Sequence, residues 1–260
     1  MEILVCIKQV PGTNRVEVDP VTGVLKRDGV ESKMNPYDLY ALETALRLRE
    51  RHGGSVSVMT MGPPQAEAVI AEAYSMGADR GFLLSDRGFA GADVLATSYT
   101  LAQGIRRAGE FDLIVCGKQT TDGDTAQVGA EIGEYLQLPS LANVTAIDGV
   151  SGDEICVTCD MQSETYRYRV SLPCVLSVDK DICQPRLPSY LKKKATADRG
   201  ITVLSLGDLE DTNALHYGLN GSPTQVRRIF PPTGKAGQCL WEGDGLAEKM
   251  ADKLRELKFI

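Results

Sequence analysis

The stretch Phe111–Gly129, FDLIVCGKQTTDGDTAQVG, decides how the rest of the chain is read. Phe111-Asp-Leu-Ile-Val-Cys116 is a short apolar run of the kind that forms a strand buried on both faces of a sheet. Gly117 ends the run, and a polar loop of Lys118, Gln119, Thr120, Thr121, Asp122, Gly123 and Asp124 follows. Thr125 is expected to open a helix, because Val128, Ile132 and Leu136 recur at four-residue spacing on one face. Strand, glycine-bearing loop and helix together aim free backbone N–H groups and the positive end of a helix dipole at an anion. Lys118 adds a positive charge, and Thr121 and Thr125 add hydroxyl donors. Asp122 and Asp124 count against a bare phosphate pocket, since carboxylates repel phosphate unless they cap the helix or meet a ribose hydroxyl. The same pattern also suits an ordinary βα turn closed by an Asp or Thr cap, and spacing alone does not separate the two.

Upstream, the same alternation repeats. Ile3–Ile7 reads as a buried first strand with Lys8–Gly12 as its exit loop, and Val16–Val18 and Val24-Leu25 suggest a small hairpin. Asn35-Pro36 signals the start of a helix reaching His52, with Leu39, Leu42, Leu46 and Arg49 marking its register and Gly53-Gly54 stopping it. Val56–Met61 is a second strand, and a helix over Gln65–Met76 ends at Gly77. Gly81–Leu84 is a third strand, Ser85–Gly91 a loop, and Asp93 caps a helix to Arg107. Strand–helix alternation at this spacing predicts an α/β fold, a doubly wound, mostly parallel sheet. Its ligand should lie outside the carboxyl ends of the strands, at the loops that start at Lys8, Met61, Ser85 and Gly117.

After Pro139 the character changes. Ile155–Cys159 and Tyr166–Val170 alternate around a polar turn and predict an antiparallel hairpin, and Cys174–Val178 reads as one more core strand. Residues 184–199 are proline- and lysine-containing, with Lys192-Lys193-Lys194 in a row, and residues 220–238 are rich in Pro and Gly. A final amphipathic helix over Gly245–Leu257 cannot bury its apolar face alone, and is expected to dock on the sheet or on another chain.

Composition narrows the function classes. The chain has 260 residues, enough for one large or two small domains, with 43% hydrophobic and 24% charged residues. A net charge of −7 counts against nucleic acid or an anionic membrane surface as partner. No apolar run reaches the roughly 20 residues that span a bilayer, and no signal peptide opens the chain, so a cytoplasmic protein without membrane insertion is expected. Seven cysteines are scattered without a disulfide pattern. The one C-x-x-C, Cys156 and Cys159, lies in an alternating run that turns the two thiols to opposite faces, so no metal site is expected. There is no G-x-G-x-x-G after a strand, no P-loop and no G-x-S-x-G elbow.

Gly117-Lys118-Gln119-Thr120-Thr121-Asp122-Gly123-Asp124-Thr125-Ala126-Gln127-Val128-Gly129 resembles the signature of the β subunit of electron-transfer flavoproteins. The resemblance runs through nearly the whole chain, including the opening ILVCIKQVP, the MNPYD segment, MGADRG and the QPR stretch. It implies a nucleotide laid across the strand ends, with Cys6, Asn35, Asp38, Met61 and the run from Gly117 to Val128 at the matching positions. Cys6 and Met61 would offer small or soft packing beside an adenine, the 117–128 backbone would serve phosphates, and Asn35 or Asp38 would meet polar edges. Taken by itself, Asn35 reads as a simple helix cap before it reads as a ligand group.

Ser85–Asp93, SDRGFAGAD, and Asn220–Val226 with Pro231-Pro232 are similar to stretches of the electron-bifurcating members of that family. In those members this subunit holds FAD and accepts electrons from NADH. The likeness adds Arg87 and Asp93 to the cofactor-binding set, while Val94 stands where that subgroup carries threonine. A surface loop with glycine hinges is the plainer reading of 85–93. In ordinary members the subunit carries a structural AMP instead, and electrons pass between a dehydrogenase and a quinone reductase. The resemblance makes 184–199 a recognition loop for a flavin-dependent dehydrogenase, with Tyr190 at the anchor position and Leu191 beside it. It also implies a core over 1–225 and an arm and helix over 226–260 that dock on an electron-transfer flavoprotein α subunit. The redox chemistry then belongs to the flavin, and no acid–base residue is nominated. A stand-alone adenine-nucleotide sensor on a similar fold would leave the C-terminal arm and the recognition-like loop unexplained.

Overall fold

The strands that the sequence reads as buried lie at the centre of a nine-stranded sheet. A computed structural model describes residues 1–12, 32–226 and 243–260. In chain order the strands are β1 (Glu2–Cys6), β2 (Gln9–Pro11), β3 (Ser32–Met34), β4 (Ser55–Met61), β5 (Arg80–Leu84), β6 (Leu113–Gly117), β7 (Ser140–Ser151), β8 (Glu154–Asp160), β9 (Thr165–Ser171), β10 (Cys174–Val178) and β11 (Thr202–Leu204). The helices are α1 (Pro36–His52), α2 (Glu67–Met76), α3 (Val94–Ala108), α4 (Val128–Leu136), α5 (Tyr190–Ala195) and α6 (Leu246–Glu256). The sheet order is β11-β5-β4-β1-β6-β10-β7-β8-β9, parallel from β11 through β7 and antiparallel for the last two pairs.

The apolar runs explain the layering. Ile3 and Val5 of β1 face one core with Leu42 and Leu46 of α1 and Ile70 of α2. Leu4 and Cys6 face the other, with Leu101 and Ile105 of α3 and Ile132 of α4. Helices on both faces bury both sides of every central strand, which is why these strands read as continuous apolar runs. From β1 the chain winds one way through β4 and β5, and the other way through β6 and β10. The winding reverses between β1 and β6, where ligands of such sheets lie in the crevice at the carboxyl ends.

Several boundaries differ from the sequence reading. The expected exit loop after β1 contains β2, which pairs antiparallel with β3. The expected hairpin at 16–25 lies outside the described residues. The 155–170 hairpin is present as β8 and β9, but as an extension of the main sheet through the unexpected β7. β7 hides from a period-two reading because its pairing with β8 shifts register twice, and Asn143 sits at φ 56. β11 is a three-residue edge strand against β5. In the C-X-X-C of β8, Cys159 is buried and Cys156 only partly so, the opposite-face arrangement expected of a strand. The described residues contain no cluster of three or more potential metal ligands, and no helix among them is long and apolar enough to cross a membrane.

The chain divides into two units, and the strands and α1–α5 belong to the first. The second contributes α6, whose Leu246 and Met250 are exposed; Leu257 just beyond it is exposed as well.

Candidate functional site

The crevice between β1 and β6 is built around one buried carboxylate. Asp38, in the first turn of α1, is 4% exposed. It accepts from the backbone N–H of Lys8 at 2.7 Å and from Asn35 Nδ2 at 2.9 Å, and it lies against Gly117. The loop after β1, the start of α1 and the end of β6 therefore meet on a single side chain. Burial pushes the Asp38 carboxyl up to about 7, against the pull of those donors and of the Lys8 charge.

Gly117 is required by this junction. A Cβ there would lie 2.4 Å from Asp38 Oδ1 and 2.7 Å from the carbonyl carbon of Tyr37, so only glycine lets α1 approach the end of β6. Gly123 is different: a Cβ would meet only Thr120 Oγ1, at 3.4 Å, and its φ lies outside the left-handed region. Within the protein, then, neither a clash nor a forbidden φ requires glycine at 123.

The loop from Lys118 to Gln127 is held by neutralising its own charges. Asn35 does not cap α1 with its side chain; its Nδ2 donates to Gln119 O at 2.9 Å and its Oδ1 accepts from the Thr121 N–H at 3.2 Å. Lys8 Nζ pairs with Asp122 at 2.8 Å, and although burial raises that carboxyl, the lysine holds it below the ordinary range. Lys118 Nζ pairs with Asp179 at 2.7 Å, so it is a strut to the end of β10 and not a free phosphate cation. The Gln119 side-chain amide donates to Asp124. With Asp122 neutralised by Lys8, the objection to an anionic ligand weakens. Residues 121–127 stay exposed above this frame.

The helix does not open at Thr125. Asp124 and Ala126 take φ of 54 and 56, left-handed values that interrupt a right-handed helix, and α4 begins at Val128 after Gln127. Its face is as expected: Ile132 is fully buried, with Val128 and Leu136 packed around the same core.

Cys6 and Cys116 are register partners on β1 and β6, 8% and 5% exposed, beneath the crevice floor. The neighbouring Cys6 and burial push the Cys116 thiol well up, which keeps it neutral. Met61 ends β4, half-buried against the α3–α4 core. One group escaped the sequence reading. Glu131, in the first turn of α4, has a buried Oε2 without a hydrogen-bond partner among the described residues. From sequence it is an ordinary acidic residue complementing a helix N-terminus. That unpaired acceptor suits a hydroxyl-bearing ligand better than bare phosphate.

The 85–93 loop lies at the carboxyl end of β5. Arg87 is exposed, and Asp93 caps α3 by accepting from the Ala96 N–H at 3.1 Å. The second Asp93 oxygen accepts from Thr224 Oγ1 at 2.7 Å and from its N–H at 3.0 Å. Although burial raises the Asp93 carboxyl, these bonds hold it below the ordinary range.

Tyr190 and Leu191 are not brought near the crevice. They start α5, both 77% exposed, beside an equally bare Leu187. Ser189 N–H and Lys192 Nζ bond the carbonyls of Ser75 and Met76, which ties α5 to the end of α2, where the chain enters β5. Behind them Arg186 grips Glu43 at 2.7 Å and Glu50 at 2.6 Å, fixing the segment to α1.

Comparison with known proteins gives matches along most of the chain. Residues 22–209 match the electron transfer flavoprotein domain. Over its full length the chain is 42% identical to the full length of the caffeyl-CoA reductase-Etf complex subunit CarD of Acetobacterium woodii. It is 44% identical to the electron transfer flavoprotein subunit beta of Thermoanaerobacterium thermosaccharolyticum, over 92% of this chain and 91% of that one. It is 43% identical to protein FixA of Azorhizobium caulinodans, over 91% and 86%.

Proposed function

The chain belongs to the electron transfer flavoprotein family, in its β-subunit branch, and on that footing we propose that it binds FAD across the crevice between β1 and β6 and accepts electrons from NADH. It works in the cytoplasm as a heterodimer with an electron-transfer flavoprotein α subunit. The reaction is flavin-based electron bifurcation, with electrons sent to an acyl-CoA-type dehydrogenase and to a low-potential acceptor. The flavin, when bound, supplies the two-electron chemistry with NADH and the one-electron chemistry with each acceptor.

The observation that carries this reading is the contact between Asp93 and Thr224. The two stretches that resemble the bifurcating subgroup lie far apart in sequence, yet they join in one structure at the carboxyl end of β5. The chain's own residues then have separable tasks. Asp38, Asn35 and Lys8 hold the 117–127 loop open with its charges paired. The N–H groups of Thr121 and Asp124 are taken by Asn35 and Thr120, the remaining exposed backbone up to Gln127 is left to meet phosphates, and the exposed Arg87 suits the charge of NADH. Tyr190 and Leu191, bare and carried on an anchored segment, suit the docking of a flavin-dependent dehydrogenase. The arm and helix over 226–260 suit an α subunit, since α6 buries none of its residues.

Val94 favours a second reading, an ordinary β subunit with AMP, because the helix-opening hydroxyl of the bifurcating pattern is missing. Co-expression with the α subunit and extraction of the bound nucleotides separates the two. Bifurcation requires two FAD per heterodimer, bleached by NADH without any dehydrogenase present. One FAD and one AMP, with no response to NADH, would establish the ordinary type. Arg87→Ala should raise the NADH concentration needed for bleaching, and removal of 226–260 should weaken the heterodimer.

A further inference from the structure

The 85–93 loop carries two glycines and reads from sequence as a hinged surface loop, yet it is tied down along its whole length by one distant segment. At its start, the Asp86 carboxylate accepts from the Gly88 N–H at 2.7 Å and from the Leu206 N–H at 3.1 Å. At its middle, Phe89 is 4% exposed and its ring lies 5.5 Å from that of the fully buried Tyr217. Tyr217 in turn packs 5.4 Å from Tyr99 of α3, and both phenols bond Asp211, through its backbone carbonyl and its carboxylate respectively. The Leu219 N–H donates to Ala90 O at 3.0 Å. Gly218, at φ +53, lies against the loop so closely that a Cβ would come within 2.2 Å of Gly88 O and 2.8 Å of Ala90 O. At its end, Asp93 N–H donates to Ser222 Oγ at 2.8 Å, and the Asp93 carboxylate is divided between Ala96 and Thr224.

We propose that residues 205–224 form a brace that fixes the 85–93 loop as a standing wall of the nucleotide crevice, with Asp93 and Gly218 as its positioning residues. The proposal rests on the reading that this loop serves NADH and FAD. Both Asp93 oxygens are committed to protein donors, so Asp93 acts on the nucleotide through the shape of the loop and not by touching it. Arg87 stands between the tethers, exposed and held on ordered backbone. The entropy of ordering the loop is met when the protein folds and is not charged against NADH binding. The brace thereby sets how much NADH is needed, and leaves the rate at saturation alone.

The experiment uses the intact heterodimer and the variants Thr224→Val, Thr224→Ser and Gly218→Ala. Amide hydrogen exchange over residues 87–92 reads the loop directly. The NADH concentration for half-maximal flavin bleaching and the bleaching rate at saturation read its consequence. Thr224→Val should speed exchange over 87–92 by about tenfold, the size expected on losing one charge-assisted hydrogen bond. β5 and α3 should stay protected. It should raise the half-saturating NADH by a similar factor with an unchanged saturating rate. Thr224→Ser keeps the hydroxyl and should restore both, whereas Gly218→Ala should exceed Thr224→Val in both. Unchanged exchange over 87–92 in Thr224→Val and Gly218→Ala would overturn the brace. A loosened loop with unchanged NADH dependence would overturn its role toward the nucleotide. If the wild-type heterodimer shows no NADH-bleachable flavin, the nucleotide reading falls, and the exchange data alone still decide whether 205–224 fixes the loop.

Discussion

Two loops at the carboxyl ends of neighbouring parts of one sheet are held by opposite means. The loop after β6 is fixed by charge: Lys8 on Asp122, Lys118 on Asp179, and the buried Asp38 beneath. Its anchors come from the neighbouring strand ends and the start of α1. The loop after β5 is fixed by packing and backbone hydrogen bonds from a segment more than a hundred residues downstream. A loop pinned by ion pairs at its own crevice keeps exposed backbone for a ligand. A loop pinned from behind keeps its outward side chains instead, here Arg87. The difference suggests a division of labour, phosphate cradle against selective wall, and it can be tested at each loop separately.

The largest effect should come from Gly117→Ala. Its Cβ has nowhere to go between Asp38 and the Tyr37 backbone, and overpacking of this kind costs roughly 3 kcal/mol or more. Gly123→Ala should change stability by less than about 0.5 kcal/mol, since only Thr120 is near. Chemical denaturation of both variants tests the contrast; equal costs would remove the distinction between a junction glycine and a ligand-facing one.

The two loops should also answer pH with opposite signs. Burial places the Asp38 pKa at about 7 in the folded protein, above the ordinary 3.8, so the folded state holds this proton more tightly than the unfolded chain. Its contribution to stability is complete below about pH 4 and is lost as pH rises through about 7, a change of at most about 4 kcal/mol. Asp93 is held below its ordinary value, so its contribution is present above that value and is lost as pH falls through the folded pKa. Urea midpoints between pH 3 and 8 should lose their decline toward neutrality in Asp38→Asn, and part of their acid-side loss in Asp93→Asn. The same slope change in both variants would contradict the assignment.

Smaller in stability but sharper for function is Gly123→Val. Gly123 is exposed and a Cβ there meets only Thr120, so loss of bound nucleotide at unchanged stability reports contact with the ligand, and about tenfold weaker retention is expected. Full retention would make the loop after β6 a mere connector. Least disturbing should be Tyr190→Ala and Leu191→Ala, which lie away from both loops at 77% exposure. Melting should shift by the equivalent of less than about 0.5 kcal/mol, while electron transfer to the dehydrogenase slows.

How much of this was legible depends on the range of the forces involved. The central strands, α1, α2 and α3 follow from apolar runs and periodic faces that burial on both sides of a parallel sheet imposes on local sequence. The crevice could be placed from the same alternation, because the reversal of winding sits at the strand ends that the runs define. β7 could not, since two register shifts break the period on which its recognition depends. Nor could the start of α4, where left-handed Asp124 and Ala126 override a continuous helical pattern.

The sequence by itself determined the layered α/β core and a family likeness along nearly the whole chain, and it marked the loop after β6 as a candidate place for an anion-bearing ligand. Only the tertiary structure decided what individual polar residues do. Asn35 looks like a helix cap and clamps a loop 84 residues away; Lys118 looks like a phosphate cation and is spent on Asp179; Asp93 looks like a ligand group and is spent on Thr224. The reason is physical. Hydrophobic burial is periodic and leaves its mark on neighbouring residues, whereas a hydrogen bond or ion pair is a meeting of two atoms whose partner can lie anywhere along the chain.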